Sequence, residues 1–224
     1  MAIEKDRLQL IAGAGGGTII GTTPRKPTIE IAQAANVRIV GFEAAAGGLI
    51  TGGNGGGILV HRSSSARLEN NSIINNGGQS GLSVRIVSRV FIRDSGIKGN
   101  SPPGILVQGN SSIELLDNSI SENANSGFLT SGSSFTLAAG NVISGNGSSG
   151  TTLNISEPQL GSVNDPGFSA ANTIENNGSR GISCDAFSRI RVLVTQTFNG
   201  NVFGTTNAPN SQCVRSGTAP ATFP

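Results

Sequence analysis

The sequence predicts an all-β fold, a single-stranded right-handed parallel β-helix, and three observations support that prediction. A glycine followed by an apolar residue or threonine recurs about every 23 residues from Gly57 to Gly181. After each glycine, apolar residues alternate with polar ones over short stretches, as in half-buried strands. Asparagines recur at two fixed positions of the repeat. Together these observations predict about seven to eight coils that stack into a solenoid with three parallel sheets.

The composition agrees with short strands and sharp turns. The chain of 224 residues contains 33 glycines, 12% charged residues and 4% aromatic residues, with neither Trp nor Tyr. Disordered chains usually combine high net charge with low hydrophobicity, so the low charge argues against disorder. The apolar residues come in short runs separated by Gly, Asn and Ser, which is typical of strands and turns.

The first strand of each repeat follows the glycine, and its inward face is predominantly apolar. The residues one and three positions after the glycine share one face of a strand. The first inward row comprises Ile58, Leu82, Ile105, Phe128, Thr151 and Ile182. The second inward row comprises Val60, Val84, Val107, Thr130, Leu153 and Cys184. Because Cys184 falls in an inward row, two states stay open for it, a buried thiol and a disulfide with Cys213.

Two further strands follow in each repeat. In the second strand the inward positions are Leu68, Ile92, Leu115 and Val192. Phe135 and Leu137 stand one residue early in this pattern, which predicts a local bulge in their coil. In the third strand the inward positions are Ile73, Ile97, Ile120, Ile143 and Ile174. Each repeat therefore contains three short strands and three turns.

Asparagines form two rows along the predicted stack. One row comprises Asn71, Ser95, Asn118, Asn141 and Asn172, and the other comprises Asn76, Asn100, Asn123, Asn146 and Asn177. Equivalent side chains one rung apart, about 4.8 Å in a parallel sheet, can hydrogen-bond along the stack as amide ladders. Asparagine also tolerates the left-handed backbone conformation that a sharp corner needs. We therefore assign these asparagines to structural ladders at the corners.

The predicted β-helix extends over residues 1–204, and residues 205–224 form a C-terminal tail or cap. Prolines and glycines near residues 156–168 indicate a loop insertion in the last long repeat. We expect the tail to lie over the last coil, because an open sheet edge invites association. The charged N-terminal residues do not resemble a secretory signal. The chain is therefore either an intracellular protein or an excised fragment, and the lack of a capping helix before the repeat favours the fragment.

The combination of glycine, aliphatic strand and the turn pattern N-x-I-x-x-N resembles the pectate-lyase-like superfamily. It resembles more closely the right-handed β-helix regions of bacterial exported proteins, over roughly residues 27–204. This resemblance implies the fold more strongly than a function. For a lyase it implies a basic residue that abstracts a proton from a uronic acid, and calcium held by carboxylates. The NTD, DD, GHG and RIK signatures of polygalacturonase-like enzymes are absent from the sequence.

Basic side chains are concentrated at outward positions of two adjacent repeats. The candidate ligand-binding residues among them are Arg62, Arg67, Arg89, Arg93 and Lys98. Arginine makes bidentate contacts with carboxylates, so one hypothesis is a strip that binds an acidic polysaccharide or another anion. The alternative interpretation is that outward strand positions favour long solvated side chains, mixed here with glutamates.

The candidate catalytic residues are Asp94, Asp117, Arg85 and His61. Asp94 and Asp117 occupy the same turn position in adjacent repeats, and glycoside hydrolysis needs a pair of carboxylates. Against this interpretation, an Asp at a turn usually accepts hydrogen bonds from the backbone. His61 is the only histidine, and we expect the neighbouring Arg85 to favour its neutral form. The alternative role for His61 is that of a surface spacer.

The favoured function is a non-catalytic extracellular or cell-surface β-helix segment, a rigid spacer or carbohydrate-contacting module of a larger protein. The alternative is a polysaccharide-active enzyme, either a lyase, an epimerase or a glycoside hydrolase. A net charge of +2 predicts no nucleic-acid partner, and no apolar run is long enough for a membrane span. With one His and two Cys we expect no metal site and no cofactor, apart from calcium if the chain is a lyase. The expected partners are a polysaccharide or glycan, neighbouring domains of a longer chain, and other copies associated end to end.

Overall fold

The computed structural model describes residues 1–13, 16–42, 49–161, 168–185, 188–193 and 196–201, together with the backbone of residues 214–216. These residues form 25 short β-strands in three parallel sheets and no α-helix. The chain passes from the first sheet to the second and the third before the next coil begins, so each coil adds one strand to each sheet. Eight complete coils result, and the predicted right-handed parallel β-helix is confirmed.

The first sheet contains the strand that follows the repeated glycine. Its strands are β1 (Ala2–Ile3), β4 (Ile29–Ala32), β7 (Ile58–His61), β10 (Leu82–Arg85), β13 (Ile105–Gln108), β16 (Phe128–Ser131), β19 (Thr151–Asn154) and β22 (Ile182–Cys184). Leu82 pairs with Ile58 on one side and with Ile105 on the other. This register stacks equivalent residues of successive coils, and both predicted inward rows of this sheet are buried.

The second sheet carries the outer surface on which the candidate site lies. Its strands are β2 (Gln9–Ile11), β5 (Val37–Val40), β8 (Ser65–Glu69), β11 (Arg89–Arg93), β14 (Ser112–Leu116), β17 (Phe135–Ala139), β20 (Gln159–Leu160), β23 (Arg189–Val192) and β25 (Val214–Ser216). Strand β25 belongs to the predicted tail and pairs with β23, which extends this sheet beyond the eighth coil. The remainder of the predicted tail, residues 205–213 and 217–224, lies outside the described residues.

The third sheet closes each coil. Its strands are β3 (Thr18–Ile20), β6 (Leu49–Thr51), β9 (Ser72–Ile74), β12 (Gly96–Lys98), β15 (Ser119–Ser121), β18 (Val142–Ser144), β21 (Thr173–Glu175) and β24 (Thr197–Asn199). Each is only three residues long, and its central residue points inward. The predicted isoleucines at this position are fully buried and are Ile73, Ile97, Ile120, Ile143 and Ile174. The core is therefore a stack of aliphatic side chains contributed by all three sheets.

The predicted bulge in the sixth coil is wrong. Strand β17 pairs with β14 through all five of its residues. Thr136 and Ala138 point inward and are buried, whereas Phe135 is 40% exposed on the outer face beside Leu137. A threonine is tolerated in the core because the hydroxyls of Thr130 and Thr136 hydrogen-bond at 2.8 Å. Phe135 and Leu137 therefore lie on the outer face of this strand, with the register unchanged.

Both predicted asparagine rows form hydrogen-bonded ladders at buried corners. At the corner between the third sheet and the next coil, Asn100 Nδ2 donates to Asn123 Oδ1 at 3.1 Å, and Asn123 Nδ2 donates to Asn146 Oδ1 at 3.0 Å. Between the second and third sheets, Asn118 Nδ2 donates to Asn141 Oδ1 at 3.0 Å. The amides also satisfy backbone groups that the corners would otherwise leave buried and unpaired. We call these turns the second corner, after the second sheet, and the third corner, after the third sheet.

The left-handed backbone conformation belongs to the residue before each ladder residue, and the attribution of this conformation to the ladder asparagines is wrong. Asn70, Asp94 and Asp117 have φ angles of 53°, 49° and 54° and precede the ladder residues of the second corner. Asn75 and Glu122 do the same at the third corner, with φ angles of 52° and 53°. Each corner thus divides its two requirements between neighbours, because one residue turns the chain and the next one bonds along the stack.

The first corner, between the first and second sheets, contains a third ladder that the sequence analysis missed. It consists of buried serines, which are Ser64, Ser88, Ser111, Ser134, Ser156 and Ser188. The backbone N–H of Ser64 donates to Ser88 Oγ at 3.2 Å, and that of Ser88 donates to Ser111 Oγ at 3.1 Å. Serine is frequent throughout the chain, so its periodicity at this corner is hard to recognise in the sequence.

The additional residues of the seventh coil lie between the second and third sheets. Strand β20 ends at Leu160 and β21 begins at Thr173. The extra residues therefore lie between these two strands, a few residues further along the chain than the predicted insertion near 156–168. Residues 162–167 lie outside the described part of the chain. The insertion leaves the ladders on both sides continuous, because Asn141 and Asn146 still bond to Asn172 and Asn177 across it.

Cys184 is buried in the inward row, as predicted, and is disulfide-bonded. The sequence contains one other cysteine, Cys213, which lies outside the described residues. Of the two states left open from the sequence, the structure therefore has the disulfide and not the buried thiol.

Candidate functional site

The predicted basic residues lie on three different faces of the solenoid. Arg67, Arg89 and Arg93 point outward from the second sheet. Arg89 and Arg93 lie two residues before and after Phe91 on one strand, and Arg67 pairs with Phe91 from the adjacent strand, so all three share its outer face. Arg62 lies at the first corner, and Lys98 lies on the third sheet. The corners of the coil therefore separate residues that are close together in the sequence.

Two of these basic residues form ion pairs outside any shared groove. Arg93 Nε contacts Asp94 Oδ2 at 2.9 Å, and Lys98 Nζ contacts Glu122 Oε1 at 2.8 Å. Both pairs are exposed, and exposed pairs of this kind contribute little to stability. Arg62 is exposed and has no ion-pair partner within the described part of the chain.

Arg67 and Arg89 line a groove of 540 Å³ on the outer face of the second sheet. Other residues that line it are Gln9, Asn36, Arg38, Ser65, Phe91 and Glu114. The groove runs across five successive strands, from β2 to β14, and is thus parallel to the axis of the solenoid. Its volume is within the range of about 300–1,000 Å³ that is usual for small-ligand sites.

The register of the second sheet aligns four residues of the groove, one from each of four successive coils, in a single column. Arg38 pairs with Arg67, Arg67 with Phe91, and Phe91 with Glu114. Residues that pair in register across parallel strands lie on the same face of the sheet, so these four side chains point outward together. The result is a column of two cations, an aromatic ring and a carboxylate, spaced by the inter-strand distance of about 4.8 Å. We call this set of four residues the arginine column.

Glu69 holds the two arginines of the column in place. Its Oε2 accepts hydrogen bonds from Arg38 Nε and Nη2 at 3.1 and 2.9 Å, and its Oε1 accepts one from Arg67 Nη2 at 2.7 Å. The hydrogen bond from Arg67, followed by the one from Arg38, lowers the pKa of Glu69 against the opposing effect of its burial. The same hydrogen bond raises the pKa of Arg67. Glu69 is therefore ionised, and both guanidinium groups are fixed beside the groove.

Phe91 fixes the plane of the Arg67 guanidinium. The guanidinium carbon of Arg67 lies 4.4 Å from the centroid of the Phe91 ring, within the range of a cation–π contact. In the neighbouring column, Arg89 forms an ion pair with Glu114. Three arginines therefore face two glutamates in and beside the groove, which leaves a net positive charge of one.

Phe168, which follows strand β20 in the seventh coil, packs on the same face, beyond one end of the groove. Phe168 is buried against Leu116 and Ala139, which lie on the outer side of the second sheet. Phe91 and Leu137 are partly buried against this small cluster. An apolar patch around Phe168 thus borders the charged part of the sheet, and Phe91 belongs to both.

Arg38 was not predicted as a site residue from the sequence, and no role was predicted for Phe91. Arg38 lies in the second coil, which is longer than the 23-residue repeat, so that a fixed spacing does not align it with Arg67. A usable signal is present in the alternation of "VRIV", where the arginine is the outward residue between two buried ones. Phe91 is likewise the outward residue of "RVFIR".

Asp94 and Asp117 are equivalent residues of the second corner, as the sequence predicts. Both adopt the left-handed conformation, and the same position holds Asn70 in the preceding coil and Gly140 in the following one. Asp, Asn and Gly are the residue types that adopt this conformation most readily. The conformation of the corner therefore accounts for both aspartates.

His61 is mostly buried and bonds to a carboxylate, so its description as a surface spacer is wrong. Its Nε2 lies 2.9 Å from Glu30 Oε1 on the outer face of the first sheet. Arg85 follows His61 in the next coil, and burial lowers the pKa of Arg85. Arg85 Nε is buried without an acceptor among the described residues. The sequence-based expectation for His61 considered Arg85 and overlooked Glu30, to which the His61 ring is hydrogen-bonded.

The parts of the chain that the structure describes hold no group of three or more His, Cys, Asp or Glu side chains positioned to bind a metal ion. No helix among those residues is long and apolar enough to cross a membrane.

Comparison with known proteins supports the fold. Residues 29–211 match the family model described as a right handed beta helix region. No curated protein matches the chain.

Proposed function

This chain belongs to the right-handed β-helix region family, and from that premise we propose that it is a non-catalytic, rigid module that binds an acidic glycan in the groove of the second sheet. The module is a segment of a larger extracellular or cell-surface protein, in which the solenoid also acts as a spacer. The observation that supports this function best is the arginine column, with its two fixed guanidinium groups and an aromatic ring in one groove.

The arginines keep donors available for a ligand. A guanidinium has five N–H donors, whereas Arg67 uses one of them and Arg38 two of them on Glu69. The side chains of Arg38, Arg67 and Arg89 are 44%, 51% and 69% exposed. A carboxylate or sulfate of a glycan can therefore bind without breaking the ion pairs that position these side chains, and fixed donors lose little entropy on binding.

The spacing of the column suits an extended polymer. Successive side chains are about 4.8 Å apart, which is close to the length of one hexopyranose residue in an extended chain. A glycan that runs along the solenoid axis thus meets one side chain of the column per sugar. Phe91 offers an apolar ring beside the cations, against which the C–H groups of a sugar can pack.

The decisive experiment measures the binding of polygalacturonate by calorimetry, with its fully methyl-esterified form as a neutral ligand of the same backbone. We expect the acidic polymer alone to bind, with an affinity that falls as salt is added, because exposed charges are screened. Substitution R67Q should weaken binding at least about tenfold, which corresponds to about 1.4 kcal/mol. The matched control is R93Q, since Arg93 lies on the same sheet outside the groove and is paired with Asp94.

Two results would overturn this function. Equal affinity for the acidic and the esterified polymer, or equal weakening by R67Q and R93Q, would show that the groove does not recognise acidic sugars. The same incubations, with and without calcium, also test the enzymatic alternative. New reducing ends or ultraviolet absorbance from unsaturated uronates would show that the module is catalytic.

A further inference from the structure

The first corner carries a column of residues whose character changes from coil to coil. In coil order the column comprises Arg62, Ile86, Gly109, Gly132 and Ile155, and we call it the corner stripe. Backbone hydrogen bonds keep these coils in register, from Val87 N to Gly109 O at 3.0 Å and from Asn110 N to Gly132 O at 3.2 Å. Behind the stripe each of these five coils has a buried serine of the serine ladder, so the variation is confined to the surface.

Two β-branched residues of this corner are exposed in an unfavourable conformation. Ile86 and Val87 have φ angles of 56° and 59° and are 54% and 62% exposed. The left-handed region is sterically costly for β-branched residues. In the next coil the same two positions hold Gly109 and Asn110, which adopt this conformation readily. The fold therefore does not require an apolar pair here, and the presence of this pair at an exposed corner indicates a contact.

From Ile86 to Ile155 the order of side chains along the corner stripe is the same in both directions. Ile86 and Ile155 stand at the two ends of this part of the stripe, three coils apart, and Gly109 and Gly132 lie between them. Ile155 is also exposed with a left-handed backbone. A two-fold axis between the two glycine coils therefore places isoleucine opposite isoleucine and glycine opposite glycine, which is the self-complementarity that a symmetric dimer needs.

The charges at the ends of the stripe are complementary in the same arrangement. Arg62 precedes Ile86 by one coil, and Glu157 follows Ile155 by two residues. Both are exposed, and neither has an ion-pair partner within the described ranges of the chain. In an antiparallel second copy, Arg62 on the third coil lies opposite the eighth coil of the other copy, one coil from its Glu157. A parallel copy would instead place like charges together.

The acidic end of the stripe also contains a hollow. It has a volume of 360 Å³ and is lined by Ser133, Phe135, Ile155 and Glu157. Phe135 is the outward aromatic residue of β17 that is left partly exposed. In the antiparallel arrangement this hollow faces Ile86 and Val87 of the second copy, and the glycine coils between allow the two backbones to approach closely.

From this geometry we infer that the corner stripe is a homodimerisation surface, on which a second copy of this chain binds antiparallel through a two-fold axis between the fifth and sixth coils. The dimer forms side by side and leaves the groove of the second sheet free on each copy. It is distinct from end-to-end association through the open strand edges of the first coil, where β1, β2 and β3 each have a neighbour on one side only among the strands that the structure describes.

Sedimentation of the full chain from micromolar to millimolar concentrations tests the dimer. The informative variant is I86G together with V87N, which copies the sequence of the next coil and relieves the unfavourable conformation. We expect this variant to unfold at a higher temperature than the wild type and to dimerise at least tenfold more weakly. A wild type that stays monomeric at every concentration, or a variant that dimerises as well as the wild type, overturns the inference.

The orientation is tested by exchanging charges. We expect R62E alone and E157R alone each to weaken the dimer severalfold, because each places like charges together. The double variant R62E with E157R restores opposite charges across the axis and should recover most of the association. Failure of the double variant to recover, with both single variants folded, overturns the antiparallel arrangement.

Discussion

The third corner and the first corner turn the same chain in every coil, but they leave different parts of it exposed. At the third corner the asparagine side chains are buried and bond to the coils on both sides. At the first corner the residues that turn the chain are exposed, and the buried residue behind them is a serine with a single contact up the stack. Buried amides with several partners fix a corner tightly, whereas one hydroxyl leaves the surface residues free to vary.

This difference explains where the chain departs from its own repeat. The residue one position after the first-sheet strand is arginine, isoleucine, glycine, glycine and isoleucine in five successive coils, which are those of Arg62, Ile86, Gly109, Gly132 and Ile155. The third corner shows asparagine at the ladder position throughout the same coils. Surface properties can thus change at the first corner with little effect on the fold. We therefore expect binding surfaces at the positions where the fold restricts the residue type least.

The largest expected effect tests the third corner. Substitution Asn123→Ala removes four side-chain hydrogen bonds, two donated to Asn146 and Ile97 and two accepted from Asn100. At about 1 kcal/mol each, their loss should lower the free energy of unfolding by about 4 kcal/mol. Chemical denaturation followed by circular dichroism measures this change.

The control for this substitution lies in the same coil, at the first corner. Asn110 is exposed in the left-handed conformation, with φ at 57°. Replacing it by alanine should cost only about 1 kcal/mol, because the backbone conformation is the main thing affected. If Asn110→Ala were as destabilising as Asn123→Ala, the two corners would not differ in the way that their contacts indicate.

Two glycines of the fifth coil make the second test. A methyl group on Gly104 would lie 2.6 Å from Asn123 Nδ2 and 2.7 Å from Gly127 O, in the third corner. Gly104→Ala should therefore cost about 3 kcal/mol through overpacking beside the ladder. At Gly109, on the first corner, the nearest atom is Ile86 N at 3.3 Å and φ is +68°. Gly109→Ala should cost about 1 kcal/mol, from the backbone conformation alone.

Thermal unfolding of both alanine variants distinguishes these costs. Equal destabilisation would mean that contact with the ladder does not explain the repeated glycine. The repeated glycine that reveals the fold in the sequence would then need another cause than the closeness of the asparagine amide.

The sequence predicts the fold well because the features that define it are periodic. Ile73, Ile97 and Ile120 recur at one spacing, and their burial follows from the stacking of coils. The ladder asparagines were predicted on the same grounds. Prediction failed where the residue types of one coil depart from the repeat. The position of Phe135 was attributed to a bulge, although the register of its strand is regular.

The candidate site was harder to predict, because it depends on which face each outward residue shares with residues of other coils. Arg38 and Arg67 become neighbours only through the register of a coil that is longer than the repeat. The partner of His61, Glu30, lies in that same coil and was missed for the same reason. Conversely, Arg62 and Lys98 belong to the same coils as the groove but to other faces. Spacing predicts neighbours along the stack and does not show how corners redirect their side chains.

The smallest effect tests the serine ladder of the first corner. Ser111 Oγ accepts one hydrogen bond, from the backbone N–H of Ser88 at 3.1 Å. Ser111→Ala should therefore lower the free energy of unfolding by about 1 kcal/mol, a quarter of the effect at Asn123, because one bond is lost and one buried donor remains. The matched control is Ser112→Ala, which changes the outward neighbour and should stay within about 0.5 kcal/mol of the wild type. A cost for Ser111→Ala close to that of Asn123→Ala would mean that the first corner is fixed as tightly as the third, and the freedom of its exposed residues would then need a different explanation.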